Sequence, residues 1–424
     1  MEWLIQGGLV FDGETLAEND VYIREGRIAG IGKGLPALGA RVVNAGGCVV
    51  SPGFTDLHVH LRQPGYEGKE TIAGGCAAAA AGGFTTVCAM PNLNPVPDSL
   101  ENLAQEQKAI EAGACVRVLP YAAITVGQQG TRLAEIEALA PFVAGFTDDG
   151  KGVQEAELMR EAMRRVQREG GLVAVHCEVE ALLAADGVCI QPGSALAQEN
   201  GWAGFSAESE WKEVERDIEL CRATGCRLHI CHASVKESFE LVRRAKAEGL
   251  PVSCEAVPHN LLLSCEQVKD HGRFRMNPPL RTPEDVQAAQ HAVADGTIDA
   301  IATDHAPHRA EEKNVVFAKS ANGVVGMEIC FAAAYTGLVE TGIIGLSKLL
   351  KLLNSGPRAV LREKAGVLEI GKPANLVVLN LAQEKTVDAS VFRGKGCATP
   401  FEGSRMKGWP VLTLFDGRVV YEAL

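Results

Sequence analysis

The 424-residue chain contains no apolar run near the roughly 20 residues needed to span a bilayer. Its start, Met1-Glu2-Trp3-Leu4-Ile5-Gln6-Gly7-Gly8, lacks the basic and then apolar pattern of a secretory leader. These absences predict a cytoplasmic protein with no membrane partner. No block of Lys and Arg interrupts a balance of 41 basic against 53 acidic side chains, formally −12, so nucleic acid is not an expected partner. An anionic ligand would need a local positive site to overcome that field. The 13 cysteines are odd in number and form no Cys-x-x-Cys pair, which reads as reduced thiols acting mostly as small buried hydrophobes. A glycine-rich phosphate turn is also missing, which argues against a doubly wound dinucleotide fold.

What is present is a globular composition, 46% hydrophobic and 22% charged, which excludes a disordered tail or a fibre. Short strands with Gly turns fill the first 52 residues, as in Leu9-Val10-Phe11 before Asp12-Gly13 and Val21-Tyr22-Ile23 before Glu25-Gly26. The end of the chain behaves alike, with apolar runs at 375–379 and 411–415, the second turning at Asp416-Gly417. Residues 1–52 plus 366–424 are therefore expected to build one small β-sandwich domain.

Between them, 53–365 alternates. Strand-length apolar runs occur at 54–60, 85–90, 116–122, 142–146, 172–176, 227–232, 251–255 and 298–303. Helical patterns at 102–111, 155–169, 211–223 and 235–248 follow several of them, the last three closed by glycine. Ser234-x-x-Glu237 reads as a capping box, and Thr282-Pro283-Glu284-Asp285 opens a helix with Pro at its first position. Eight such repeats predict an α/β fold, a (β/α)8 TIM-type barrel.

Four of the ten histidines fall at predicted strand ends, His58 and His60 at the first, His176 at the fifth and His232 at the sixth. Barrel active sites lie at that rim. His58-Val59-His60 has strand period, so both rings face one side and one metal can take both. Taken alone the pair also fits core or surface histidines; four at one rim point to a metal. Carboxylates should join them to neutralise the ion, and Asp148-Asp149 follows the fourth run while Asp304 follows the eighth. Locally, Asp148-Asp149-Gly150 fits an ordinary turn equally well.

With those residues in strand order, and with Ser51-Pro52-Gly53-Phe54-Thr55-Asp56-Leu57-His58-Val59-His60-Leu61-Arg62, Met90-Pro91-Asn92, Met276-Asn277-Pro278-Pro279 and Thr303-Asp304-His305-Ala306-Pro307-His308, the chain resembles the long-chain bacterial dihydroorotases of the amidohydrolase superfamily. The resemblance covers essentially the whole chain. It implies one or two Zn2+ ions, with His58, His60 and Asp304 on one, His176 and His232 on the other, and Asp149 bridging. Relatives such as hydantoinases bridge with a carboxylated Lys, but 141–146 holds none and the nearest is Lys151. The implied reaction is the reversible cyclisation of N-carbamoyl-L-aspartate to dihydroorotate in pyrimidine biosynthesis, with Asp304 catalytic as the proton carrier. Implied substrate contacts are His60, Leu61, Arg62, Asn92, Asn277, His308, Asn322 and Gly323. Arg62 is placed to clamp the carboxylate bidentately. The stretch 313–326 is positioned to cover the site.

Two departures stand out. Asn260 occupies a position where relatives commonly carry a second His, and 320–322 lacks an aromatic often found there. The resemblance admits a homodimer and a complex with aspartate transcarbamoylase. Two alternatives remain: another cyclic-amide hydrolase (allantoinase or hydantoinase), disfavoured by Arg62, Asn92 and the Asp bridge, and a non-catalytic scaffold for aspartate transcarbamoylase, disfavoured by the complete ligand set.

Overall fold

The computed structural model describes residues 2–364 and 366–424. The expected domain boundary at 365 falls on a residue outside the described ones. Strands β1 (Trp3–Phe11), β2 (Leu16–Arg24), β3 (Arg27–Gly32), β4 (Arg41–Asn44) and β5 (Cys48–Pro52) come from the start of the chain. They join strands from its end in one eight-stranded sheet. The central strands are β6 (Phe54–Val59), β7 (Phe84–Ala89), β8 (Arg117–Pro120), β9 (Leu172–Val175), β10 (Arg227–Ile230), β11 (Val252–Ala256) and β12 (Ala300–Ile301). The end contributes β13 (Leu376–Thr386), β14 (Arg405–Phe415) and β15 (Arg418–Glu422), giving the order β15-β14-β13-β5-β1-β2-β3, with β4 beside β1.

Side-chain alternation explains how this sheet attaches to the rest. In β13, Leu376 and Val378 pack into the sheet's own core with Trp3, Val21 and Leu412, whereas Val377 and Leu379 face the opposite way into the central core beside Phe54 and Phe84. Val49 and Val50 divide likewise. A period-2 strand buried on both faces serves two cores at once.

The central strands are parallel and buried, with β6-β7-β8 in one ladder and β12-β11-β10-β9 in another. Single parallel bridges, Ala122 to Phe146 to Val173 on one side and Val59 to His305 on the other, link the two ladders. Helices Ala156–Arg168, Ala207–Thr224, Lys236–Ala247 and Pro283–Asp295 lie on the crossovers, as parallel pairing requires. None of the described helices is long and apolar enough to cross a membrane. All 13 cysteines are free and ten are buried, in line with thiols used as small hydrophobes.

Three local expectations need correction. The run at 142–146 is not a strand: Pro141 lies within a 3-10 turn, Ala140–Phe142, and only Phe146 pairs. Gly145 explains the close passage, since a Cβ there would stand 2.7 Å from the Leu172 carbonyl oxygen. The eighth run shortens to Ala300–Ile301 because Asp56 takes the Thr303 amide and hydroxyl. Ser234 is not the cap of the next helix. Its amide and hydroxyl are engaged by buried Glu210, and the helix starts after Val235 with the Lys236 amide donated to Asp285 (3.0 Å). Thr282, by contrast, does form the expected cap, reciprocated by Asp285, ahead of Pro283.

Candidate active site

The C-terminal ends of the central strands bring six predicted residues into one buried cluster. His58 ends on β6, His60 lies just beyond it, His176 follows β9, His232 follows β10, Asp304 follows β12, and Asp149 comes from the turn after Phe146. Asp149 and Asp148 are adjacent acids with different work. Asp148 turns away, accepting the Ile124 and Thr125 amides at 2.8 and 3.0 Å. Asp149 Oδ1 points inward with no hydrogen-bond partner.

The distances have the scale of a metal centre. His58 Nε2 lies 3.4 Å from Asp149 Oδ1 and 3.5 Å from Asp304 Oδ1, while His60 Nε2 lies 3.2 Å from Asp304 Oδ1 and 3.6 Å from Asp149 Oδ2. Tetrahedral ligands about 2.0–2.1 Å from one zinc stand roughly 3.3 Å apart. A second set joins His176 Nδ1 to His232 Nε2 at 3.0 Å, with Asp149 Oδ1 at 3.9 and 3.8 Å from the two rings. Asp149 thus belongs to both sets. His58 Nε2 and Asp149 Oδ1 are both buried and unpartnered, an arrangement that a cation satisfies and a neutral core does not.

Electrostatics agree. Burial alone would raise the Asp149 and Asp304 carboxyls, but the facing histidines hold both below the usual carboxylate range. Burial would lower His58, yet Asp149 and its other partners keep it above the ordinary imidazole value. His58 Nδ1 is in turn held by Glu255 Oε1 (3.1 Å), whose other oxygen meets His229 Nε2 at 3.0 Å. A carboxylate on the far nitrogen of a ligating imidazole fixes its tautomer and orientation. Sequence reasoning missed this relay, although a Glu in the buried strand Val252–Ala256 was a visible signal.

Around the cluster lies a cavity of about 200 Å3 lined by His60, Arg62, Asn92, Asp149, Gly150, His176, His232, Asn277, Asp304, Ala306, His308, Asn322 and Gly323. Arg62 adopts φ of 62° and anchors its Nε on the Pro307 carbonyl (3.3 Å). Asn92 donates to the Asp149 carbonyl (2.8 Å), and Asn277 donates to Glu178 Oε2 (2.8 Å). Leu61 is the one anticipated contact absent from the lining: its side chain packs into the core over Gly75. Lys151 is exposed beyond the turn.

A "Dihydro-orotase-like" family model matches residues 47–238. The chain is 42% identical to the dihydroorotase of Bacillus cytotoxicus over 100% of its own length and 99% of that protein's. It is 44% identical to the dihydroorotase of Brevibacillus brevis over 98% of both. The chain belongs to the dihydroorotase family. Among solved structures, the L-hydantoinase (dihydropyrimidinase) of Arthrobacter aurescens superposes with TM-score 0.88 at 25% identity, over 99% of this chain and 96% of that one. The dihydropyrimidinase of Brevibacillus agri NCHU1002 follows at 0.86 and 21%, covering 100% and 95%. The dihydroorotase family and these hydantoinases thus share one α/β architecture, and the chain is a cyclic-amide hydrolase by descent.

Proposed function

We propose that this chain catalyses the zinc-dependent, reversible cyclisation of N-carbamoyl-L-aspartate to L-dihydroorotate in the cytosol. The supporting architecture is read as a closed (β/α)8 barrel, residues 53–365, carrying a β-sandwich formed from 1–52 and 366–424. The observation that carries the proposal is the placement of Arg62 in the same 200 Å3 cavity as the histidine and aspartate cluster. A guanidinium fork beside a metal-ligand set suits a ring that bears a carboxylate.

His58, His60 and Asp304 would hold one ion, His176 and His232 a second, with Asp149 between. Such an ion supplies Lewis-acid polarisation of the ring carbonyl and makes water acidic enough to attack at neutral pH. Asp304, ionised and at the cavity wall, takes the proton of the attacking water and returns it to the departing ring nitrogen; cyclisation runs the same transfer backwards. Arg62 orients the carboxylate, and Asn92, Asn277 and His308 supply the remaining polar contacts. The fold likeness to hydantoinases favours a second reading, a hydrolase of uncharged cyclic amides, but 141–146 holds no lysine to bridge two ions and Arg62 would have no anion to meet.

Metal analysis combined with carbamoyl-aspartate cyclisation by the purified protein tests the proposal. Arg62→Met should lower kcat/KM for dihydroorotate about 30-fold, equivalent to roughly 2 kcal/mol, the scale of a charge-assisted pair. Turnover of hydantoin in preference to dihydroorotate by the wild type would replace the proposal with the second reading.

A further inference from the structure

Asn322 and Gly323 form the cavity wall in a segment with little regular structure, a four-residue helix at Ala310–Lys313 and a single turn at Phe317–Lys319. What holds that segment is a pair of buried cations. Arg275 is 8% exposed. Its Nε donates to Asn322 Oδ1 (2.8 Å), its Nη1 to the carbonyls of Ala318 (2.5 Å) and Phe317 (3.3 Å), and its Nη2 to the carbonyl of Gly187 (2.9 Å). Its own carbonyl accepts from Lys313 Nζ (3.0 Å) and the Gly323 amide (3.1 Å). Lys313, 2% exposed, adds a bond to the Ala321 carbonyl (2.7 Å).

Among the described residues, neither side chain forms an ion pair with a carboxylate; every partner is a carbonyl oxygen. Burying two cations without a counter-charge costs stability that an apolar pair of similar volume would not. The effect on the cavity is specific. The Asn322 carbonyl accepts from His308 Nε2 (2.7 Å), leaving His308 Nδ1 to accept from Lys69 Nζ (3.1 Å). That pair of bonds selects the neutral Nε2–H tautomer of His308. Gly323, with φ of 130°, passes so close that a Cβ would stand 3.0 Å from the same ring nitrogen.

We propose that Arg275 and Lys313 are positioning residues for an anionic substrate: they clamp 313–323 as a preformed wall, holding Asn322 and Gly323 at the cavity and setting the orientation of His308. The inference rests on the substrate reading above. Lysine cannot replace the fork of Arg275, because one ammonium cannot span Gly187, Ala318 and Asn322 together.

The test uses metal-loaded full-length protein. Arg275→Lys keeps the charge and should raise KM for carbamoyl-aspartate about tenfold while kcat stays within about threefold, the pattern of lost binding geometry rather than lost chemistry. Amide hydrogen exchange at 316–323 should accelerate about tenfold with metal content unchanged. Lys313→Gln should shift the same two readouts in the same direction, which guards against one variant failing to fold. Unchanged KM despite faster exchange overturns the positioning role, and unchanged exchange overturns the clamp. Wild-type protein that binds zinc yet fails to cyclise carbamoyl-aspartate would defeat the substrate reading instead, and exchange at 316–323 would still decide the clamp.

Discussion

The histidine rim is braced by buried carboxylates, whereas the wall facing it is braced by buried cations. At the rim, Asp56 accepts the His58 and Thr303 amides, both at 3.1 Å, and the Thr303 hydroxyl at 2.6 Å, tying the first central strand to the last. Glu255 holds His58 from behind. At the wall, Arg275 and Lys313 rest on backbone carbonyls. The signs suit what each side would meet: negative support lies behind ligands for a cation, and positive support lies behind a surface for an anion. A chain of net charge −12 thus carries local fields opposed to its average.

The largest effects should come from the rim. His60→Ala should reduce turnover by at least about a hundredfold, since the proposed function makes it a ligand of the essential ion, while the folded structure survives because His60 is at the rim and not in the core. Near-normal turnover would sink the metal assignment. Asp56→Ala should do the opposite to stability, lowering it by roughly 3 kcal/mol or more by leaving three buried donors unpaired, as read by denaturant unfolding. Equal stability losses for the two variants would break the distinction between ligand and brace.

The rim is itself uneven. His58 is held by the Glu255 carboxylate at 3.1 Å, whereas His176 Nε2 stands 3.9 Å from Glu178 and meets only the Asn277 amide at 3.4 Å; His60 Nδ1 and His232 Nδ1 both lack a partner, so the Glu255 brace is what sets the sites apart. The first ion should therefore bind more tightly than the second. In a chelator competition, Glu255→Gln should weaken the tighter site about 10–100-fold, the scale for supporting carboxylates, and Glu178→Gln should leave that site nearly unchanged. Equal losses at the tighter site would remove the asymmetry.

Much of this was legible in the sequence because the rim obeys simple periodicities. His58-Val59-His60 has strand spacing, and the His176 and His232 strands end one and two residues before their apolar runs do. The bracing was not legible. Glu255 and Asp56 act on residues 197 and 247 positions away, through β6 to β11 and β6 to β12 proximity that no local pattern reveals. Ser234-x-x-Glu237 carries a correct capping spacing, yet tertiary contact with Glu210 took the serine. Pro141 and Gly145 could have warned against a fourth strand, since one lacks a donor and the other marks close backbone approach. Arg275 and Lys313 gave no signal, because their partners are carbonyls and any residue supplies those.

The smallest predicted effect comes from the wall and depends on pH. Burial, reinforced by the neighbouring Arg275 charge and only partly offset by Glu312, brings the Lys313 ammonium down to about 7 from 10.5. Between those values the unfolded chain holds a proton at this position that the folded chain does not. Proton binding then favours the unfolded state, so the Lys313 contribution to stability rises with pH across that window, by at most about 1.4 kcal/mol per unit, and its penalty is fully present below about pH 7. Unfolding free energies of wild type and Lys313→Met, measured in parallel from pH 6 to pH 10, should therefore diverge in favour of wild type as pH increases. The equivalent rim comparison, Glu255→Gln against wild type with metal bound, should be flat over the same range, because Glu255 is held down to about 2 by His229 and His58 against the effect of burial. A flat Lys313 difference would mean that the two carbonyl partners keep the ammonium charged, making the wall a permanent cationic support like the guanidinium beside it.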